Sequence, residues 1–154
     1  MIETKLNSIY KQIMWLARQP GVTPSKARAW YTHVVSSPRD VCRFTGKVSK
    51  KALKEGATLR LEHFNRLQQS LTSLVKRHLK EGDDFKEFLK EIRRCEKVHI
   101  VTFEENNEAM KAKGDYMKAG IELMDWKDIP QKKRSYLWEN KLRGKVSNSN
   151  EFPH

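Results

Sequence analysis

Few residues in this chain could do chemistry, and they lie far apart in the sequence. They are Glu62-His63, and Asn106 within Thr102-Phe103-Glu104-Glu105-Asn106. An imidazole titrates near neutral pH and can take a proton from water. A carboxylate and a carboxamide offer oxygen atoms to a hard cation such as Mg²⁺ or Mn²⁺, which keeps several waters and also takes oxygens from a substrate. Hydrolysis of a phosphodiester needs both a base and a cation. Each residue also has a plainer use. Glu62-His63 can be an exposed strand end paired with Arg60 and Arg66. Asn106 can be a solvent-facing helix residue, and Glu105 the capping partner of Thr102.

Periodicity gives the elements that must position these groups. Leu6, Ile9, Tyr10, Ile13, Met14 and Ala17 follow helical spacing and predict a helix from Thr4 to about Arg18, stopped at Pro20-Gly21. Thr23-Pro24 opens a second helix with Ala27, Trp30, Tyr31 and Val34, ending near Ser36-Ser37-Pro38. Val41 to Phe44 and Thr58 to Leu61 alternate and predict short strands, with Thr45-Gly46 as a turn. Phe64, Leu67, Leu71, Leu74, Val75 and Leu79 predict a helix that closes at Gly82. Asp84 and Glu87 open another, buried through Phe85, Phe88, Leu89 and Ile92. Val98 to Val101 is a third strand. Thr102 and Glu105 form a capping box for a helix running through Ala109, Met110 and Met117. A last helix is predicted from Pro130 to Leu142, with Asp128 as cap and Gly144 as stop, followed by a frayed tail over 146–154.

With the helices between Phe64 and Cys95 set aside, the middle of the chain reads strand, Glu62-His63, strand, Thr-x-x-Glu-Asn on a helix. Over residues 41–110 this order resembles the HNH family of ββα-metal nucleases, and Cys42-Arg43-Phe44-Thr45-Gly46 resembles the Cys-x-x-Thr-Gly run that leads into many HNH strands. The resemblance implies an α+β fold, a mostly helical domain around a small ββα-metal element with short antiparallel strands. Residues 1–38 would be an N-terminal helical pair and 39–118 the core with a helical insertion over 64–95. Residues 119–145 would carry a C-terminal basic helix. It further implies His63 as general base, Glu62 as metal-binding carboxylate and Asn106 as second ligand to Mg²⁺ or Mn²⁺. The implied activity is that of a small endonuclease acting on DNA, of a kind common among phage and mobile-element genes. The family's middle asparagine has no clear counterpart here. Adjacent strand residues also point to opposite faces, so Glu62 and His63 share a phosphate only if the strand twists or ends there.

Charge points to the same class of partner. The 154 residues, enough for one ordinary domain, carry 31 Lys and Arg against 19 Asp and Glu, a net charge of +12. Phosphate-rich polymers are the first partners such an excess suggests and an anionic membrane the second. Lys47, Lys50, Lys51, Lys54 and Arg60 form one basic stretch, and Lys132, Lys133, Arg134, Lys141, Arg143 and Lys145 another. Both suit a duplex backbone, where such contacts fix position without reading sequence. Trp126, Tyr136 and Trp138 can stack on bases, although helical spacing favours burial of the last two. Asp83, Glu91 and Glu96 read as a solvated acidic face, His33 as partly buried, His78 as packing, and Met110, Met117 and Met124 as core filler. The rival reading is a non-catalytic protein gripping nucleic acid or an acidic protein surface. Two lone cysteines exclude a disulfide framework, and no apolar run approaches the roughly 20 residues of a membrane span. A cytoplasmic location without membrane attachment is the expectation, with oligomeric state left open.

Overall fold

The computed structural model describes residues 2–35 and 37–154 and has an α+β fold, in which helices outweigh one four-stranded mixed sheet. The chain forms two compact units, Met1–Pro38 with Arg66–Cys95, and Arg39–Asn65 with Glu96–His154.

The first unit is helical: α1 (Ile2–Ala17), α2 (Pro24–Val34), α3 (Leu67–Glu81) and α4 (Phe85–Cys95). All six residues of the apolar stripe on α1 are buried, as helical spacing requires. Thr23 caps α2 by accepting from the Lys26 amide at 3.2 Å, and Pro24 occupies the first turn. Ser36, part of the expected stop, lies outside the described residues. Tyr10 and Phe88 stack in this core with centroids 4.8 Å apart. His78 does pack there and is also fully bonded, with Nδ1 2.6 Å from the Tyr10 hydroxyl and Nε2 2.8 Å from Glu87. Burial pushes the Tyr10 hydroxyl up to about 12. His33 is exposed rather than partly buried, because it stacks on Trp30 at the outer side of α2.

The second unit holds the sheet, with strand order β2-β3-β1-β4: β1 (Arg43–Ser49), β2 (Leu59–His63), β3 (Lys97–Thr102) and β4 (Leu123–Asp125). β2 and β3 are antiparallel, and α5 (Phe103–Lys111) follows β3 at once behind the complete Thr102–Glu105 capping box. Not every pair is antiparallel as expected, since β1 runs parallel to β3. Thr45-Gly46 is not a turn but lies inside β1, where the register shifts and Gly46 takes φ +86°. Alternation splits β3 between two cores. Val98 and Ile100 join Phe44, Val48, Leu137 and Leu142 on one side. Val101 joins Ala109 and Ile121 on the other.

The C-terminal third departs most from expectation. In place of one basic helix over 119–145 it holds the end of α6 (Tyr116–Ala119), β4 and α7 (Gln131–Leu137), the last continued by a π-helical turn over Trp138–Leu142. α7 starts after Pro130 with no side-chain cap, so Asp128 does not serve. Met110 and Met117 are exposed instead of filling the core, because the chain turns at Lys113-Gly114 with both φ angles positive and the helical spacing breaks. Residues 146–154 are packed rather than frayed. Val146 is buried, Phe152 meets Phe44 and Trp126, and Asn148 bonds both backbone groups of Phe44.

Candidate functional site

β2 carries Glu62 and His63 side by side and sends them to opposite faces of the sheet. Glu62 is 1% exposed, pairs across the ladder with His99, and accepts a hydrogen bond from the Tyr116 hydroxyl on α6. His99 Nδ1 lies 2.9 Å from the same hydroxyl, and its ring stacks on Phe64 with centroids 4.1 Å apart. Since Tyr116 gives its proton to Glu62, it must accept from His99, which fixes a proton on Nδ1. Burial, with Lys47 nearby, pushes His99 down to about 4. This is a buried polar network between strand and helix. Asn106 takes no part in it, because its amide nitrogen bonds Met110 Sδ one turn along α5, at 3.9 Å.

The ligand pair implied for Mg²⁺ or Mn²⁺ therefore does not fit such an ion. A hard cation keeps several waters, whereas the Glu62 carboxylate is shut away from solvent and has one oxygen on the Tyr116 hydroxyl. Twist at the end of β2 does not bring Glu62 and His63 around one phosphate.

His63 belongs to a different group. Its Nε2 lies 3.2 Å from Glu96 Oε2 and 3.4 Å from Cys42 Sγ, and that sulfur lies 3.3 Å from the same carboxylate oxygen. Cys42 immediately precedes β1, Glu96 immediately precedes β3, and His63 ends the antiparallel β2, so three strand termini meet at one corner. The Arg43 amide donates to the Glu96 carbonyl at 3.0 Å and ties two of them together. Cys42 and Glu96 are buried, while the His63 side chain is 41% exposed. Burial and then the Glu96 charge push the Cys42 thiol far above its ordinary range, so it is no ready nucleophile. Glu96, read from sequence as part of a solvated face, is buried because β3 starts beside it. Cys, His and Glu each sit at a strand boundary, and only the pairing of the three strands groups them.

The two basic stretches converge. Lys54 from the β1–β2 connection and Lys132 and Lys133 from α7 line one cavity of about 470 Å³, with Leu59 and Tyr136 in its wall. Tyr136 is 58% exposed, against the expectation of burial, because Leu137 is the side chain α7 turns inward. Beside the cavity, Arg60 and Lys141 both donate to the Leu59 carbonyl, at 3.0 and 3.1 Å. Burial, with Lys145 and Arg60 close by, holds Lys141 below the usual lysine range. Lys51, Lys54, Lys132 and Lys133 make no ion pair among the described residues.

The other candidates are engaged elsewhere. Lys47 pairs with Asp125, Lys50 with Glu122 and Arg143 with Glu139, while Lys145 donates to the Asn140 carbonyl. Arg134 is half-buried on α7. Trp126 and Trp138 give their indole N–H groups to the carbonyls of Pro153 and Ser149, and so hold the C-terminus. Among the described residues no helix is long and apolar enough to cross a membrane. Compared with family models, with curated proteins and with solved structures, the chain matches none.

Proposed function

We propose that this protein binds nucleic acid, DNA in the first instance, through the basic cavity between the β1–β2 connection and α7. The observation that carries the reading is the meeting of Lys54, Lys132 and Lys133, free of ion pairs among the described residues, around an exposed tyrosine. Cations held close without partners favour a polyanion, and release of its counterions supplies the binding energy. A phenol ring at the rim adds a surface for base stacking, worth roughly 1–3 kcal/mol per base. Phosphate contacts of this kind give affinity without sequence preference.

A second reading adds hydrolysis. It is favoured by His63, a half-exposed imidazole held by the buried Glu96 carboxylate at the far end of the strand that starts at Leu59, about 13 Å away. A carboxylate fixes the ring and its tautomer and leaves the second nitrogen to act as a base on water, which is worth about 10²–10⁴ in rate. This is the endonuclease activity with its base on His63 and without the Glu62 and Asn106 ligands.

One pair of assays separates the readings. A gel shift with a short duplex should show binding that weakens log-linearly with salt and is lost in Lys132→Glu/Lys133→Glu. No shift at low salt would dismiss the first reading, and an acidic protein surface would then be the partner to test. Supercoiled plasmid incubated with divalent ions should be nicked by the wild type and not by His63→Ala. Intact plasmid in every metal leaves a binder without cleavage.

A further inference from the structure

We propose that Cys42, His63 and Glu96 bind one zinc-class divalent ion, with a fourth coordination position open to solvent. The inference stands apart from nucleic-acid binding and rests on the geometry of the corner alone.

The three ligand atoms form a triangle with sides of 3.2, 3.3 and 3.4 Å. A tetrahedral zinc ion holds nitrogen and oxygen at roughly 2.0–2.2 Å and sulfur at about 2.3 Å, which places neighbouring ligand atoms roughly 3.3–3.6 Å apart. An ion could thus seat itself on this triangle with shifts of a few tenths of an ångström. One sulfur, one nitrogen and one carboxylate oxygen suit Zn²⁺ and not Mg²⁺ or Ca²⁺, which prefer oxygen alone.

Placement supports the same conclusion. The ligands sit on backbone that the sheet already fixes, through the pairing of His63 with Val98 and the Arg43–Glu96 hydrogen bond. Two ligands are buried and rigid, while His63 is exposed enough to give the ion a way in and to leave the fourth position to water. The thiol proton is released as the ion binds. The ion would take His63 Nε2, the nitrogen that otherwise meets Glu96, and would leave Nδ1 untouched.

The test is a Co²⁺ titration of the metal-stripped, reduced full-length protein, without nucleic acid, followed by displacement with Zn²⁺. The expected result is one ion per chain, a thiolate-to-cobalt charge-transfer band and the visible bands of four-coordinate cobalt. Cys42→Ser should abolish the charge-transfer band, and Cys95→Ser should leave it unchanged. His63→Ala should weaken binding by more than the roughly 10–100-fold that loss of an outer partner costs. Sub-stoichiometric binding by the wild type, or a band that survives Cys42→Ser, overturns the site. If Cys42→Ser fails to fold, the decision falls to His63→Ala at its half-exposed position, where weakening of less than about 100-fold overturns the site. Because no DNA is present, failure here leaves the gel-shift result standing, and the reverse also holds.

Discussion

Asn148 completes the hydrogen bonding of Phe44 with a single side chain: its Oδ1 accepts from the Phe44 amide at 2.8 Å, and its Nδ2 donates to the Phe44 carbonyl at 2.9 Å. β4 pairs only with Lys47 to Ser49, so the carboxamide stands in for a neighbouring strand at the open start of β1. Asn148→Ala leaves two buried backbone groups unmet, each costing about 1–3 kcal/mol. The expected loss is roughly 2–4 kcal/mol in urea denaturation at unchanged slope. Asn148→Asp should be as damaging, since a carboxylate has no N–H to give the carbonyl.

Lysines in the basic cavity should behave differently from those already paired. Glu122 and Asp125 are held below the ordinary carboxylate range by Lys50 and Lys47, which marks those ammonium groups as engaged. Lys132→Gln or Lys133→Gln should weaken DNA binding and reduce the slope of log affinity against log salt by about one each. Lys47→Gln and Lys50→Gln should change both far less. Equal effects at all four positions would spread the interface over the whole unit.

The network of His99, Tyr116 and Glu62 gives stability a defined pH dependence. His99 is pushed down to about 4 when folded but titrates near its ordinary value when unfolded. Below pH ~6.5 the unfolded chain takes up a proton that the native ring refuses, so stability is full above that value and is lost as pH falls toward 4. The loss attributable to this residue is of the order of 2–3 kcal/mol. His99→Gln should be less stable than wild type at neutral pH yet show a flatter profile between pH 6.5 and 4, measured by urea denaturation at several pH values.

Gly114 should not accept a side chain. Its φ is +85°, and a Cβ there would lie 2.3 Å from the Phe64 carbonyl oxygen. Gly114→Ala therefore meets rigid backbone as well as an unfavourable torsion, and a loss of about 2–4 kcal/mol is expected. Gly21→Ala, where φ is positive but nothing lies within 4 Å, should cost only the torsion, about 1 kcal/mol.

Local signals were legible where local physics decides the outcome. The stripe on α1, the Thr23-Pro24 start, the Thr102–Glu105 box and the sequence of β2, β3 and α5 all follow from spacing and capping. What escaped was set by pairing between distant segments. Thr45-Gly46 looks like a turn because the dipeptide usually is one, yet it forms a register shift inside β1, between the rungs that Phe44 and Val48 make with β3. The corner of Cys42, His63 and Glu96 depends on β1 and β3 being parallel and β2 opposed, which no single segment encodes. Glu62 looked available for a metal because it neighbours a histidine, but strand alternation assigned it to Tyr116 on the other face. Lys54 and Lys132, far apart in the chain, share a cavity only because α7 returns to Leu59.

The chain passes into or out of the sheet-bearing unit at Arg39, Asn65 and Glu96. The last two each lie two residues beyond the final β2–β3 rung, His63 with Val98, so the 30-residue excursion over 66–95 departs and returns at the same end of that ladder. In effect it is a hairpin whose reverse turn has been replaced by two helices. Material of almost any length can be spliced in at such a point without shifting a single rung, and the same holds in reverse. A tight Asn-Gly turn grafted between β2 and β3, with the leading helices also trimmed away, should leave every strand in register.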